Sequence, residues 1–311
     1  MKIVSVINYK GGVGKTSLAA NLAAQLAWEG RKVLVLDFDP QTSLTFSLIK
    51  ADDWERSFAA SRTIKTWFES FDVGAPLSLD SLVYTPRRVA AALNGRGGLD
   101  MISSHLGLIN VDLELATKLG GANLTQAKMN FIKIHRRLAD GLGNDGALKA
   151  RGYDLVLIDC PPNFNIVTKT AIVASDYILV PTRPDYLSTL GIDYLIRSVN
   201  GLVKDYNDFA SIEGGASVAK IDPKVLGVVF TMIQEYRGIP MGSQRPFMDR
   251  VKRMPGLSVF DSYIKRNDAL FASAPESGIP VVLNGYGTGS HQSVVDGLED
   301  VANEFVKRIG L

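Results

Sequence analysis

A chain of 311 residues is long enough for one large α/β domain or two small ones, and its 46% hydrophobic and 21% charged residues exclude a disordered or fibrous polypeptide. With 34 basic against 32 acidic residues the formal charge is +2, so only local clusters can point to a charged partner. The lone cysteine, Cys160, excludes a disulfide framework and any zinc or iron–sulfur site built from the cysteines of one chain.

In chain order, Ile3–Ile7 (IVSVI) reads as a strand, residues 15–29 as an Ala/Leu-rich helix and Lys32–Leu36 (KVLVL) as a second strand. A strand ends at Asp100–Ile102, residues 123–140 are helical, and Tyr153–Ile158 is a further strand. Tyr177–Val180, Val225–Phe230 and Ile279–Leu283 follow as strands. Continuous β-branched and leucine runs separated by helices predict an α/β fold with a doubly wound, mostly parallel twisted sheet flanked by helices. Three segments interrupt the rhythm: 50–96, punctuated by Pro76, Pro86 and Gly95; 207–223, read as a loop; and the Gly-rich stretch 284–291, expected to be mobile. None has the composition of a linker, so a single domain over 1–311 with insertions near 50–96 and 207–223 is expected. No apolar run reaches the roughly 18 residues of a membrane span. Met1 to Lys10 reads as a strand meeting a turn rather than a signal peptide, so a cytoplasmic protein is expected.

The strongest signal is Lys10-Gly11-Gly12-Val13-Gly14-Lys15-Thr16-Ser17, directly after the first strand and opening the first helix. That is the context of a phosphate-binding loop. Glycines let the backbone turn so that its N–H groups face phosphates, and the helix N-terminus adds partial positive charge. Lys15 is expected to neutralise the β- and γ-phosphates, and Thr16 to offer its hydroxyl to Mg²⁺. The usual spacing has glycine at position 9; here Tyr9 stands there, followed by an extra lysine, Lys10. Two strand ends supply acids. Asp37-Phe38-Asp39-Pro40-Gln41 carries two carboxylates two residues apart, on one side of an extended chain, and Pro40 stops the strand. Asp159-Cys160-Pro161-Pro162 closes an apolar strand in the manner of a Walker B element, and Asp159 is expected to hold Mg²⁺ directly or through water. Cys160 reads as a small buried filler.

KGGVGKT resembles the deviant Walker A motif of the ParA/MinD superfamily of ATPases. The resemblance implies that Lys10 crosses a dimer interface to the partner's nucleotide, in the manner of an arginine finger. Asp37–Gln41 resembles the family's DxDPQ element, which implies that Asp39 positions the hydrolytic water and Asp37 supports the Mg²⁺ shell. Ser175–Thr182 leading into Pro184–Gly191 is similar to the family's strand-loop-helix after Walker B. Gly227–Met232 is similar to the strand whose end lies against the base, which makes Met232 a candidate adenine contact, with a core methionine as the competing reading. Phe260–Pro280 also fits the family pattern. The likeness covers most of the chain and is weakest in 50–96 and 207–223.

Within the superfamily, the single cysteine argues against the nitrogenase iron protein and the tail-anchor and arsenite ATPases, and the tyrosine-free end argues against bacterial tyrosine kinases. Val294, Leu298, Val301, Ala302, Phe305 and Ile309 recur at helical spacing, but Asp296, Glu299, Asp300 and Glu304 share the polar face with Lys307 and Arg308, so a core-packed helix is expected rather than a membrane-targeting one. A MinD-like membrane-cycling ATPase is the alternative this leaves open. Without an N-terminal helix-turn-helix, operator-specific repression is not expected. The resemblance then implies a ParA/Soj-like partitioning or positioning ATPase. It would use ATP and Mg²⁺, hydrolyse slowly unless stimulated by a ParB-like or other adaptor, dimerise with ATP, and bind DNA non-specifically, so associating with the nucleoid. From Arg237 to Arg266 seven basic residues face two acids, a local +5. Arg245, Arg250, Lys252, Arg253, Lys265 and Arg266 are the candidate DNA contacts.

Overall fold

The computed structural model describes residues 1–72, 77–211, 218–284 and 289–311. Its strands are β1 (Lys2–Val6), β2 (Lys32–Asp37), β3 (Gly98–Ile102), β4 (Leu155–Asp159), β5 (Tyr177–Thr182), β6 (Lys224–Ile233), β7 (Glu235–Tyr236), β8 (Ile239–Pro240) and β9 (Val259–Lys265). Seven of them form one sheet in the order β3-β2-β4-β1-β5-β6-β9, with every pairing parallel. β7 and β8 make a small antiparallel hairpin.

The apolar runs that predicted strands are buried on both faces, as a parallel sheet requires. Val33 and Val35 of β2 enter the core on one side and Leu34 and Leu36 on the other. In β4, Leu155 and Leu157 face one side, and Val156 and Ile158 the other. One face is covered by α1 (Lys15–Trp28), α2 (Ser43–Leu48), α3 (Ala51–Ser57), α5 (Arg87–Leu93), α12 (Asp268–Ser277) and α13 (Ser290–Ile309). The other is covered by α4 (Ile64–Glu69), α6 (Leu108–Lys118), α7 (Leu124–Asn144), α8 (Gly146–Ala150), α9 (Ile166–Ala174), α10 (Tyr186–Ala210) and α11 (Arg245–Lys252). The doubly wound α/β architecture is therefore as read from the sequence.

Register sets the site. β4 lies between β2 and β1, with Asp159 opposite Asp37 on one side and Val6 on the other. The C-terminal ends of these three strands are level, so the phosphate loop and both acid-bearing turns leave the sheet side by side.

Several expectations need correction. Ile279–Leu283 is not a strand: Pro280 enters a 3-10 turn over Val281–Leu283, and the Val282 N–H donates to Asn21 Oδ1 of α1 at 3.0 Å instead of joining a ladder. The stretch read as a loop from 207 begins as helix, since α10 runs to Ala210; residues 212–217 of it lie outside the described residues, as do Pro76 and 285–288 of the stretch expected to be mobile. The segment 50–96 is built from short helices whose Ile64, Trp67, Phe68 and Leu79 enter one core, and Phe58, Val89 and Leu93 the other. The apolar stripe of α13, Val294 through Ile309, is buried against the sheet. At the sheet edge, Glu304 of α13 accepts from the Asp261 and Ser262 N–H groups of β9 (3.1 and 3.0 Å), and Arg308 donates to the Val259 carbonyl at 2.7 Å. Among the described residues no helix is long and apolar enough to cross a membrane.

Candidate nucleotide site

The loop between β1 and α1 turns on two glycines in the left-handed region, Gly12 (φ 70°) and Gly14 (φ 79°). Gly14 caps α1 without any side-chain hydrogen bond, so the first N–H groups of the helix are free to face an anion. The loop is anchored from β6: the Thr231 hydroxyl donates to the Val13 carbonyl at 2.8 Å. Lys15 is buried, and its ammonium donates to the Lys10 carbonyl at 3.2 Å. Burial pushes the Lys15 ammonium below its ordinary value, and the Asp159 and Asp39 charges pull it back.

The acids meet where the sequence reading expected them. The Thr16 hydroxyl donates to Asp159 Oδ2 at 2.7 Å, while Asp159 Oδ1 is buried with no hydrogen-bond partner among the described residues. Burial and the neighbouring Asp37 charge raise the Asp159 carboxyl. Asp37 is fully buried and engaged by the protein. Its Oδ2 accepts from the Thr45 N–H (2.8 Å) and hydroxyl (2.7 Å), and its Oδ1 from the Asp39 N–H (3.1 Å). Burial raises Asp37 to about 7 against these bonds. Asp39 is half-buried, accepts from the Gln41 N–H at 2.9 Å, and has its carbonyl held by the Ser104 hydroxyl at 2.8 Å. Ser104 also donates its N–H to Thr45 Oγ1 at 3.0 Å. Thr45 and Ser104 therefore brace both acids of the DxDPQ turn, and neither stood out in the sequence. Cys160 is a buried filler as expected, its thiol pushed up by burial.

Beside the loop lies a cavity of about 70 Å³ lined by Gly14, Ser17, Met232, Ile264, Lys265 and Phe271 among others. Met232, near the end of β6, is half-buried with φ 56° and lies outside both core clusters; its carbonyl accepts from Gln244 Nε2 at 3.2 Å. A larger cleft of about 470 Å³, lined by Trp67, Phe71 and Arg137 among others, includes none of the phosphate-loop residues or the three acids.

The basic cluster divides in two. Arg245, Arg250, Lys252 and Arg253 are exposed on α11 and its C-cap, and form no ion pair among the described residues. Lys265 and Arg266 instead line the cavity beside the phosphate loop. Lys265 pairs with Glu235 at 3.0 Å and bonds Ser293 at 2.6 Å, and Arg266 chelates Asp268 at 2.5–3.0 Å. Both charges are paired inside the chain, Lys265 with Glu235 and the exposed Arg266 with the exposed Asp268, which sets these two residues apart from the four on α11.

The family model described as AAA domain matches residues 1–212. The chain belongs to that family. This AAA-domain protein is 29% identical over 283 residues to the sporulation initiation inhibitor protein Soj of Bacillus subtilis, covering 91% of this chain and 90% of Soj. It is 29% identical over 284 residues to the chromosome partitioning protein ParA of Caulobacter vibrioides, covering 91% and 87%. Among solved structures, a McdA–ATP complex from Cyanothece shares the fold at a TM-score of 0.69 and 19% identity, over 100% of this chain and 97% of that one. The resemblance to the ParA/MinD superfamily drawn from KGGVGKT thus extends over nearly the whole AAA-domain protein.

Proposed function

We propose that this protein is a Mg²⁺-dependent ATPase of the ParA type. It works as an ATP-dependent homodimeric switch that binds DNA without sequence preference and partitions or positions DNA or another cellular cargo. The observation that carries this reading is the convergence of Lys10, Lys15, Thr16, Asp37, Asp39 and Asp159 at the C-terminal ends of three interior strands. The adjoining cavity, lined by Gly14, Ser17, Met232 and Phe271 among others, sets an apolar surface beside the phosphate loop, where we place the base.

The donor set fits a hard divalent cation, because Asp159 keeps one buried oxygen without a partner beside the Thr16 hydroxyl. When bound, Mg²⁺ neutralises charge on the β- and γ-phosphates. Thr16 and Asp159 would hold it, with Asp37 behind them. Lys15 exchanges the Lys10 carbonyl for phosphate oxygens. Asp39 holds the attacking water, its turn braced by Ser104. Lys10 acts on the other subunit's phosphates. An apolar rim at the same end of the sheet supports that dimer: Tyr186, Leu187, Leu190 and Tyr194 are 46–67% exposed on the first turns of α10. Exposed apolar groups gathered in one place mark interaction surfaces. With no further group placed to activate water among the described residues, hydrolysis is slow until an adaptor of the ParB kind stimulates it. The unpaired cations of α11 supply the phosphate contacts to DNA.

The test uses Asp39→Ala, which should trap the ATP dimer. Binding to two unrelated duplexes is measured with ATP and with ADP, at low and moderate salt. Equal, salt-sensitive binding with ATP alone supports the reading. No binding in either state, with the dimer confirmed by light scattering, removes DNA as the matrix.

A further inference from the structure

Tyr9 occupies the position where a phosphate loop of ordinary spacing has glycine. The backbone there does not call for glycine, since Tyr9 is not among the residues with positive φ. Its ring is gripped from two sides: edge-on to Phe164, with centroids 5.8 Å apart at 66°, and tilted on Tyr194 at 5.4 Å and 50°. Phe164 follows Asp159-Cys160-Pro161-Pro162, and Tyr194 lies on α10, so the ring ties the loop to the turn after β4 and to α10. The backbone on either side of it is tied as well. Asn8 Nδ2 donates to the Pro181 carbonyl at 2.8 Å, and Asn8 Oδ1 accepts from the Lys10 N–H at 2.9 Å. The Tyr9 hydroxyl is buried and makes no well-formed hydrogen bond among the described residues, with the Ser198 side chain of α10 as a polar neighbour, so the ring makes the larger part of the grip.

On its other side Lys10 is held differently. Its carbonyl accepts from the Lys15 ammonium at 3.2 Å, a bond that is given up once Lys15 turns to phosphate. What then keeps the start of the loop in place is the pair of Asn8 bonds together with the aromatic stack. We infer that Tyr9 is a positioning residue for Lys10: wedged between Phe164 and Tyr194, it fixes the backbone from which Lys10 reaches the nucleotide of the second subunit. The inference rests on the role proposed above for Lys10. Within the chain the Lys10 charge acts on Asp185, the N-cap of α10, and helps hold its carboxyl below the ordinary value.

The experiment is a double-mutant cycle of Tyr9→Ala and Lys10→Ala, with Tyr9→Phe as the conservative rescue. Tyr9→Leu, which fills the space without stacking, replaces the alanine variant if that one fails to fold. For each protein kcat and KM for ATP are measured, with the monomer's affinity for a fluorescent ADP analogue. Nucleotide-dependent dimerisation is followed by light scattering in an Asp39→Ala background. Lys10→Ala should lower kcat by about a thousandfold, in line with a charge supplied in trans. Tyr9→Ala should lower kcat and weaken the dimer by about tenfold each, as expected for losing two aromatic contacts, and leave ADP-analogue affinity within about twofold. Tyr9→Phe should restore both. On top of Lys10→Ala, Tyr9→Ala should cost nothing further, because the two act as a unit. If the two effects multiply, or if Tyr9→Ala loses ADP-analogue affinity as fully as it loses kcat, Tyr9 is a packing residue and the inference is overturned. If Lys10→Ala leaves kcat and the dimer intact, the reading of Lys10 itself falls, and the inference with it.

Discussion

Thr45→Val tests the brace behind the two acids of the DxDPQ turn. Valine keeps the volume and β-branching of threonine but removes the hydroxyl, which gives a hydrogen bond to Asp37 Oδ2 (2.7 Å) and takes one from the Ser104 N–H (3.0 Å). A bond to a charged group contributes about 1.5–3 kcal/mol, and an orphaned buried N–H costs about 1–3 kcal/mol. Local relaxation recovers part of that sum, and Asp37, raised to about 7, is charged only part of the time at neutral pH, so a loss of about 3 kcal/mol is expected. With an unfolding entropy of about 2.1 cal/mol/K per residue over 311 residues, this lowers Tm by about 5 °C. Thr45→Ser keeps the hydroxyl and should lose less than about 1 kcal/mol. The bond to Asp37 is strongest when the carboxyl is ionised, so the gap between threonine and valine should widen from pH 6 to pH 8. Urea midpoints and melting curves of the three proteins at both pH values make the measurement. A valine variant within about 0.5 kcal/mol of the unaltered protein, or a serine variant as unstable as the valine one, would refute the brace.

Three further outcomes are expected. His135 is buried on α7 with Nδ1 on the Phe131 carbonyl at 2.8 Å and Nε2 unpartnered among the described residues; burial pushes it down to about 4, with the Lys169 charge acting the same way. The unfolded chain protonates this group below about pH 6.5, so up to about 3 kcal/mol of stability, complete above that pH, is lost as pH falls towards 4; His135→Leu should flatten that limb of the pH–stability profile. Gly14→Ala forces a Cβ onto φ 79°, with Thr231 in ordinary contact at 3.6 Å, so strain rather than a clash should cost about 1–2 kcal/mol and weaken ATP binding, read by titration calorimetry. Replacing Arg250 and Arg253 together with glutamine should weaken binding to all duplexes alike and reduce the slope of log affinity against log salt by about 2 per subunit; an unchanged slope would remove α11 from the interface.

The phosphate loop and the acids were legible because each is local: a glycine-rich turn after a strand, and carboxylates at strand ends that register makes level. Thr45 and Ser104 were not, since the bond joining them spans 59 positions and neither residue type announces a brace. The basic cluster was counted along the chain, and counting could not show that Glu235 and Asp268 meet Lys265 and Arg266 in space. β9 (VFDSYIK) escaped notice because an edge strand with one half-solvated face interleaves polar residues. Ile279–Leu283 was misread for the opposite reason: a short apolar run is buried equally well as a turn, and Pro280 starts one there.

The clasp of α13 on β9 decides how the molecule can associate. An edge strand offers a row of backbone donors and acceptors to any passing strand, and such edges nucleate sheet extension and aggregation. Here Glu304 occupies two of the donors and Arg308 one of the acceptors, so the first part of that strand is clasped by side chains of α13. Lateral pairing is hindered along that part of the margin, so the proposed dimer through the phosphate-loop end would meet less competition from edge-to-edge pairing on the β9 side.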